Sequence, residues 1–277
     1  MKTQWRSDKI EVDGLNVHYY RTGGDKPALI LSHGATDNSL CWRRVAAELE
    51  ASYDLIMYDA RGHGLTEIVS DAQHTGDMAE DLANLTQALG LKKPRFMGHS
   101  MGAATTLAMA AAYPDLPHCI VLEEPPLRAL FAKLPEAERQ AHAEAWRERM
   151  VETKRLSRES MIAREREEHP NWAEVEWEPW ADAKKQVDLE VLIAAFRVER
   201  PPWQDLLAKV TCPVLILYGD QELGAIVSDA EAREAQRILG DQGEVVQIKG
   251  AGHNVRREQF QTFMNVVTRF LRDCPNS

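Results

Sequence analysis

The segment Arg95-Phe96-Met97-Gly98-His99-Ser100-Met101-Gly102 runs directly into the small-residue stretch Ala103-Ala104-Thr105-Thr106-Leu107-Ala108-Met109-Ala110-Ala111-Ala112. It reads as a strand, a sharp turn and a helix with no spacer between them, and no other stretch constrains the fold as tightly. A serine at the tip of such a turn adopts a strained backbone, and the positions two before and two after it have no room for a side chain. Glycines at 98 and 102 meet that demand. The alanine-rich helix can press close to a sheet, and Tyr113-Pro114 ends it. Ser100 is therefore a candidate nucleophile. The pentapeptide G-x-S-x-G also occurs in turns without chemistry, so its meaning depends on the rest of the chain.

On both sides of this turn, short apolar runs alternate with helical patterns. Asp13-Gly14 separates Ile10-Glu11-Val12 from Leu15-Asn16-Val17-His18-Tyr19-Tyr20, which predicts an opening β-hairpin. Ala28-Leu29-Ile30-Leu31 and Leu55-Ile56-Met57-Tyr58 are apolar without alternation, as in strands covered on both faces. A helix over about 38–50 lies between them. Met78, Leu82, Leu85 and Leu89 recur at helical spacing ahead of the Ser100 strand. Cys119-Ile120-Val121-Leu122 reads as the sixth strand and runs into Glu123-Glu124-Pro125-Pro126.

The texture then changes to charged helices. One covers 135–155, and Leu189, Leu192, Ile193 and Phe196 mark a later one. Five of the seven tryptophans fall here: Trp146, Trp172, Trp177, Trp180 and Trp203. Tryptophan at helical spacing reads first as core, with at most two of the five reaching a substrate, and Trp177-Glu178-Pro179-Trp180 reads as a rigid corner. The α/β rhythm resumes with strands at 213–218 and 244–248, a helix near 230–239, and a last helix with Phe260, Phe263, Val267 and Phe270 inward. Such alternation implies an α/β fold with a mostly parallel sheet and ligands at the carboxyl ends of the strands. Residues 1–126 and 210–277 form the core on this reading. Residues 127–209 form a helical cap, or lid, inserted after the sixth strand.

A chain of 277 residues can bury such a core, and its formal charge of −10 weighs against phosphate-rich or anionic partners. Nucleic acid and membrane surfaces are accordingly excluded as expected partners. The first residues carry charge where a signal peptide would be apolar, so a cytoplasmic protein is expected. Cys41, Cys119, Cys212 and Cys274 show no metal-ligand spacing and read as buried thiols. Neither HExxH nor a GxxxxGK[ST] phosphate loop is present, so no metal or other cofactor is expected.

Four motifs in order, His33-Gly34, Asp59-Ala60-Arg61-Gly62-His63-Gly64, Gly98 to Gly102 and Gly250-Ala251-Gly252-His253, give nearly the whole chain a resemblance to the α/β-hydrolase family. The resemblance implies a capped serine hydrolase, esterase- or lactonase-like, in which Ser100 attacks and His253 moves the proton. A serine hydroxyl needs such a base, and the base needs a carboxylate to orient it. Two glutamates fit the role. Glu222 occupies the family's common acid position after the next-to-last strand. Glu124 ends the strand after the elbow's helix, where zearalenone-lactonase-type members carry their acid, and two prolines following it favour it slightly; Asp220 and Glu123 stand outside. The resemblance also gives backbone N–H groups of Ala35 and Met101 as oxyanion-hole donors.

His33, His63 and His99 read as loop histidines, and His18, His74, His118, His142 and His169 as surface or core. Asp59, Arg61 and Gly62 read as a brace beneath the site. The expected activity is cleavage of a small or medium apolar carboxylic ester or lactone through an acyl-enzyme. The same residues serve C–C bond hydrolases and cofactor-free perhydrolases or haloperoxidases. A hydrolase-fold receptor that binds a small signal is the alternative of another class.

Overall fold

The computed structural model describes residues 5–68, 77–127, 136–191, 193 and 201–274. Its strands are β1 (Arg6–Val12), β2 (Leu15–Arg21), β3 (Ala28–Ser32), β4 (Asp54–Tyr58), β5 (Glu67–Ile68), β6 (Arg95–His99), β7 (Ile120–Glu123), β8 (Val214–Tyr218) and β9 (Gly243–Gln247). They form one sheet in the order β1-β2-β4-β3-β6-β7-β8-β9, with β5 paired to β2. The hairpin β1–β2 is antiparallel, and the sheet from β4 to β9 is parallel. The two-residue β5 is too short to show in an apolar pattern. It makes the helical block follow the seventh strand in chain order, where the sequence predicts the sixth.

Period-two alternation divides the apolar strands between two cores. Ile30, Ile56, Phe96, Ile120, Leu122, Val214 and Ile216 face one cluster; Leu29, Leu31, Leu55, Met57, Met97, Val121, Leu215 and Leu217 face the other. The first is covered by α2 (Met78–Ala88), α3 (Met101–Ala112) and α8 (Asp229–Leu239). On the other lie α1 (Arg43–Leu49) and α9 (Phe260–Asp273), the latter through Phe263, Val267 and Phe270. Phe260 is only partly buried, under the guanidinium of Arg44. Among the described residues, no helix is long and apolar enough to cross a membrane.

Between β7 and β8 the described elements are all helices: α4 (Glu136–Arg155), α5 (Arg158–Glu168), α6 (Glu174–Gln186) and α7 (Trp203–Leu207). Leu192 and Phe196 of the later helix lie outside the described residues. Trp172, Trp177 and Trp180 form a small core of their own with Met161 and Ala181, and Trp172 stacks on Trp177 with ring centroids 5.2 Å apart. Trp146 and Trp203 pack against the main core. The segment from Trp177 to Trp180 is not a corner but the middle of α6, with Pro179 inside the helix. Proline's fixed φ suits a helix at the loss of one hydrogen bond, and the buried indoles on either side hold this one in register.

The sheet order places the site. From β3 the chain crosses to β4 on one side and then returns to β6 on the other, so the loops after β3 and β6 emerge next to each other at the carboxyl edge. Contact there is close enough to exclude side chains. A Cβ on Gly98 would lie 2.3 Å from the Gly102 carbonyl oxygen, and one on Gly102 would lie 2.2 Å from that of Ser32. Both obstacles are backbone, which cannot swing aside. Gly102→Ala is therefore expected to cost at least about 2 kcal/mol of stability, read from urea unfolding midpoints; an unchanged midpoint would contradict this packing.

Candidate active site

Ser100 caps the start of α3 from just outside it, with φ 51° and ψ −114°, a backbone conformation costly for any residue but glycine. Its N–H is held by the Glu123 carbonyl at 2.9 Å. This strained turn lifts the side chain off the sheet edge, where Oγ lies 3.0 Å from His253 Nε2. His253 stands in the loop after β9, and its own carbonyl accepts from His99 Nε2 at 2.9 Å.

Behind the imidazole, His253 Nδ1 is 3.2 Å from Glu124 Oε2. Glu124 is fully buried, one residue beyond β7, with φ 47°. Its Oε1 accepts the Gly219 N–H at 2.9 Å and its Oε2 the Ile226 N–H at 2.5 Å. The loop after β8 thus wraps its amides around Glu124. Glu222, on the single turn Gln221–Leu223 of that loop, is exposed instead. The structure brings Ser100, His253 and Glu124 together and leaves Glu222 outside. Asp220 accepts from Gly250 and Gln247, and Glu123 from Arg256.

The loop after β3 completes the floor. Gly34 sits so near that a Cβ there would be 2.8 Å from His99 Nδ1 and 3.7 Å from Ser100 Cβ. Residues 34–37 close a β-turn through Asp37 N–H to the Gly34 carbonyl at 3.0 Å. The Gly34 carbonyl also accepts from His33 Nδ1 at 2.8 Å, and the Ala35 carbonyl lies 2.8 Å from His63 Nε2. Met101 is the first residue of α3, where helix N–H groups lack partners inside the helix.

The other histidines have structural surroundings. Burial lowers His33 to about 4, and it accepts the Ala60 N–H. His63 and His99 are likewise lowered by burial. His18 is buried between Ser7 and Asp59, at 2.8 and 2.7 Å. His169 stacks on Trp172. His74 and the side chain of His142 lie outside the described residues. Asp59 accepts the Ser39 and Leu65 N–H groups, Arg61 pairs with Asp81 at 2.6 Å, and the Gly62 carbonyl accepts from Asp188, so this segment braces its neighbours. The four cysteines are buried free thiols.

Sequence reasoning missed a buried charge cluster beside these groups. Asp37 accepts from Arg256 Nη2 at 3.1 Å and Arg257 Nη2 at 3.2 Å, with Lys184 Nζ 3.8 Å away. Arg256 continues to Glu123 at 3.1 Å and Arg257 to Glu176 at 3.3 Å. Burial pushes the Asp37 carboxyl up, but the charges of Arg257, Lys184 and Arg256 outweigh it and hold the group well below the usual carboxylate range. The three cations face three carboxylates, so the cluster carries no net charge when all are ionised. The one sequence signal for it was the Asn254-Val255-Arg256-Arg257 run immediately after His253.

Sheet order, elbow and late histidine loop define a hydrolase of the α/β type as a class. The alpha/beta hydrolase fold family matches residues 27–256, and the chain belongs to that family. It is 28% identical over 276 residues to a 2-(acetamidomethylene)succinate hydrolase of Mesorhizobium japonicum, covering 96% of this chain and 95% of the relative. An N-formylmaleamate deformylase of Pseudomonas putida is 35% identical over 141 residues, a match spanning 49% of this chain and about half, 53%, of the deformylase. A solved E-2-(acetamidomethylene)succinate hydrolase superposes with a TM-score of 0.77 at 24% identity, covering 97% of this chain and all of that one, a likeness of fold.

Asp37→Asn would leave buried cations in excess and is expected to cost about 3–5 kcal/mol near neutral pH. A carboxylate lowered in the folded state stabilises above its unfolded pKa of about 4, and that contribution is lost as pH falls through the folded value. The gap in urea midpoints between wild type and Asp37→Asn should therefore hold steady down to about pH 5 and narrow below about pH 4. A gap independent of pH across that range would contradict an ionised Asp37.

Proposed function

We propose that the protein is a cofactor-independent serine hydrolase that cleaves a carboxylic ester or lactone through an acyl-enzyme. The observation carrying this reading is the hydrogen-bonded line from Ser100 Oγ through His253 to the buried, amide-held carboxylate of Glu124. Ser100 Oγ forms the bond to the acyl carbon while His253 Nε2 takes its proton. Glu124 holds the Nδ1–H and balances the imidazolium that results. Backbone N–H groups of Ala35 and Met101 serve as donors to the oxyanion. The carbon–oxygen bond to the leaving alcohol then breaks, and His253 returns the proton to it. Water attacks the acyl-enzyme with His253 again as base, releasing the acid and Ser100.

Residues 127–209 act in this proposal as the cap of a core made by 1–126 and 210–277. The cap limits substrates to small or medium apolar acyl groups. One observation favours a second reading. The relative matched over nearly its whole length is named for an acetamido compound, so an N-acyl bond is a candidate scissile bond within the same mechanism.

A fluorophosphonate probe should label wild-type protein once, at Ser100, by peptide mapping. Ser100→Ala should lower aryl-ester hydrolysis by about 10³-fold or more, and Glu124→Ala by about 10²–10⁴-fold. Glu222→Ala should stay within about twofold of wild type, as an exposed side chain away from the imidazole. Hydrolysis undiminished in Ser100→Ala would overturn the proposal. Comparing aryl esters, lactones and N-acyl enamines on the wild type separates the two readings by kcat/KM.

A further inference from the structure

Helix α6 reaches the loop after β3 at several points, and one of them surrounds a buried lysine. Lys184 Nζ donates to the Thr36 carbonyl at 2.9 Å and to Thr36 Oγ1 at 2.8 Å, with Asp37 Oδ1 3.8 Å away. Two turns' worth of contacts flank it on the same helix. Gln186 Oε1 accepts from Asn38 Nδ2 at 2.8 Å, and Glu176 pairs with Arg257, which also holds Asp37. An ammonium has three N–H groups, and here the acceptors within reach lie on two adjacent residues of one tight turn.

That turn is the one carrying Ala35. Gly34 and Asp37 are its ends, closed by the 3.0 Å bond, and Ala35 and Thr36 are its central pair. In a trans peptide the Ala35 N–H points opposite to the Gly34 carbonyl. Its direction is therefore set by what holds that carbonyl, namely His33 Nδ1 and the Asp37 N–H. Lys184 fixes the far half of the turn, at Thr36 and Asp37, and so fixes the residue whose N–H grips Gly34. Burial pulls the Lys184 ammonium down from its ordinary pKa, against the charge of Asp37, so the contact is made at the expense of hydration.

We infer that Lys184 is a positioning residue for the oxyanion hole, and that seating of α6 on the core and alignment of the Ala35 N–H are a single event. The inference rests on the acyl-hydrolase reading above. An oxyanion donor acts mainly on the transition state, so its misalignment lowers kcat more than it raises KM. A lysine that only stabilised the fold would change the unfolding midpoint and leave that split unmoved.

The test compares wild type, Lys184→Met and Lys184→Arg in ester hydrolysis, in thermal unfolding, and in inhibition by an arylboronic acid, which adds to an active serine as a tetrahedral anion. Lys184→Met is expected to lose about 10- to 100-fold in kcat with KM within about threefold, and boronate affinity should fall by the same factor as kcat. Lys184→Arg, which keeps the charge and donors, should recover a large part of both. Folded Lys184→Met with kcat and boronate affinity within about twofold of wild type would overturn the inference, as would a loss confined to KM. If Lys184→Met does not fold, Thr36→Val decides: it removes the Oγ1 acceptor alone and should lower kcat several-fold, and an unchanged kcat would overturn the inference. Wild type that fails to label at Ser100 overturns the hydrolase reading and this inference together. Wild type and Lys184→Met labelled at equal rates overturn only the latter.

Discussion

The Glu124 carboxylate is the point at which the separate parts of this molecule meet. It is fully buried and sits at a left-handed backbone position that costs an unbranched residue on the order of 1–3 kcal/mol. Hydrogen bonds to a charged group contribute about 1.5–3 kcal/mol each, and this carboxylate accepts from the Gly219 and Ile226 amides as well as facing His253. The bonds therefore outweigh the strain, but only while β7, the loop after β8 and the loop after β9 keep their relative places. Removing any one of the three leaves a buried anion with lost donors. The geometry of the imidazole toward Ser100 is thus a consequence of how neighbouring strands of the sheet end.

What could be read in the chain follows from the range over which each feature is determined. The elbow, the strands on both sides of it and the amphipathic helices are local, set by glycine sterics, apolar runs and helical spacing within a dozen residues. They appear in the structure nearly where the sequence puts them. The choice between Glu124 and Glu222 was not local. It depends on the loop after β8 turning its amides toward a residue 95 positions earlier, which leaves its own glutamate in solvent. The order of motifs could narrow the candidate acid to two residues, and the two prolines after Glu124 favoured it only slightly.

The same argument explains one omission and one misreading. Lys184, Arg256, Arg257 and Asp37 each look like ordinary surface charge in sequence, and Asp37 meets Arg257 across 220 residues. No periodicity marks such a pair. Pro179 carries the opposite lesson: proline is strong local punctuation, yet buried tryptophans at 177 and 180 keep the helix continuous through it. Tertiary packing decided against propensity there, and it did so in the helix that supplies Lys184 and Gln186.

How α6 is attached has a bearing on what it can do. A buried ion cluster gives little net stability over apolar side chains of the same size, because taking the charges out of water offsets most of their attraction. What such a cluster does supply is discrimination, since a small slip leaves cations and carboxylates unpaired in a dry interior. Apolar contact between α6 and the core would tolerate a range of seats. The bonds from Lys184 to Thr36, from Asn38 to Gln186 and from Arg257 to Glu176 admit one. They also end on the turn that holds Ala35 and on the segment that follows His253. A helix outside the sheet is thereby fixed against the two loops whose placement matters most to Ser100, and the polar cost of doing so is offset by pairing three cations with three carboxylates.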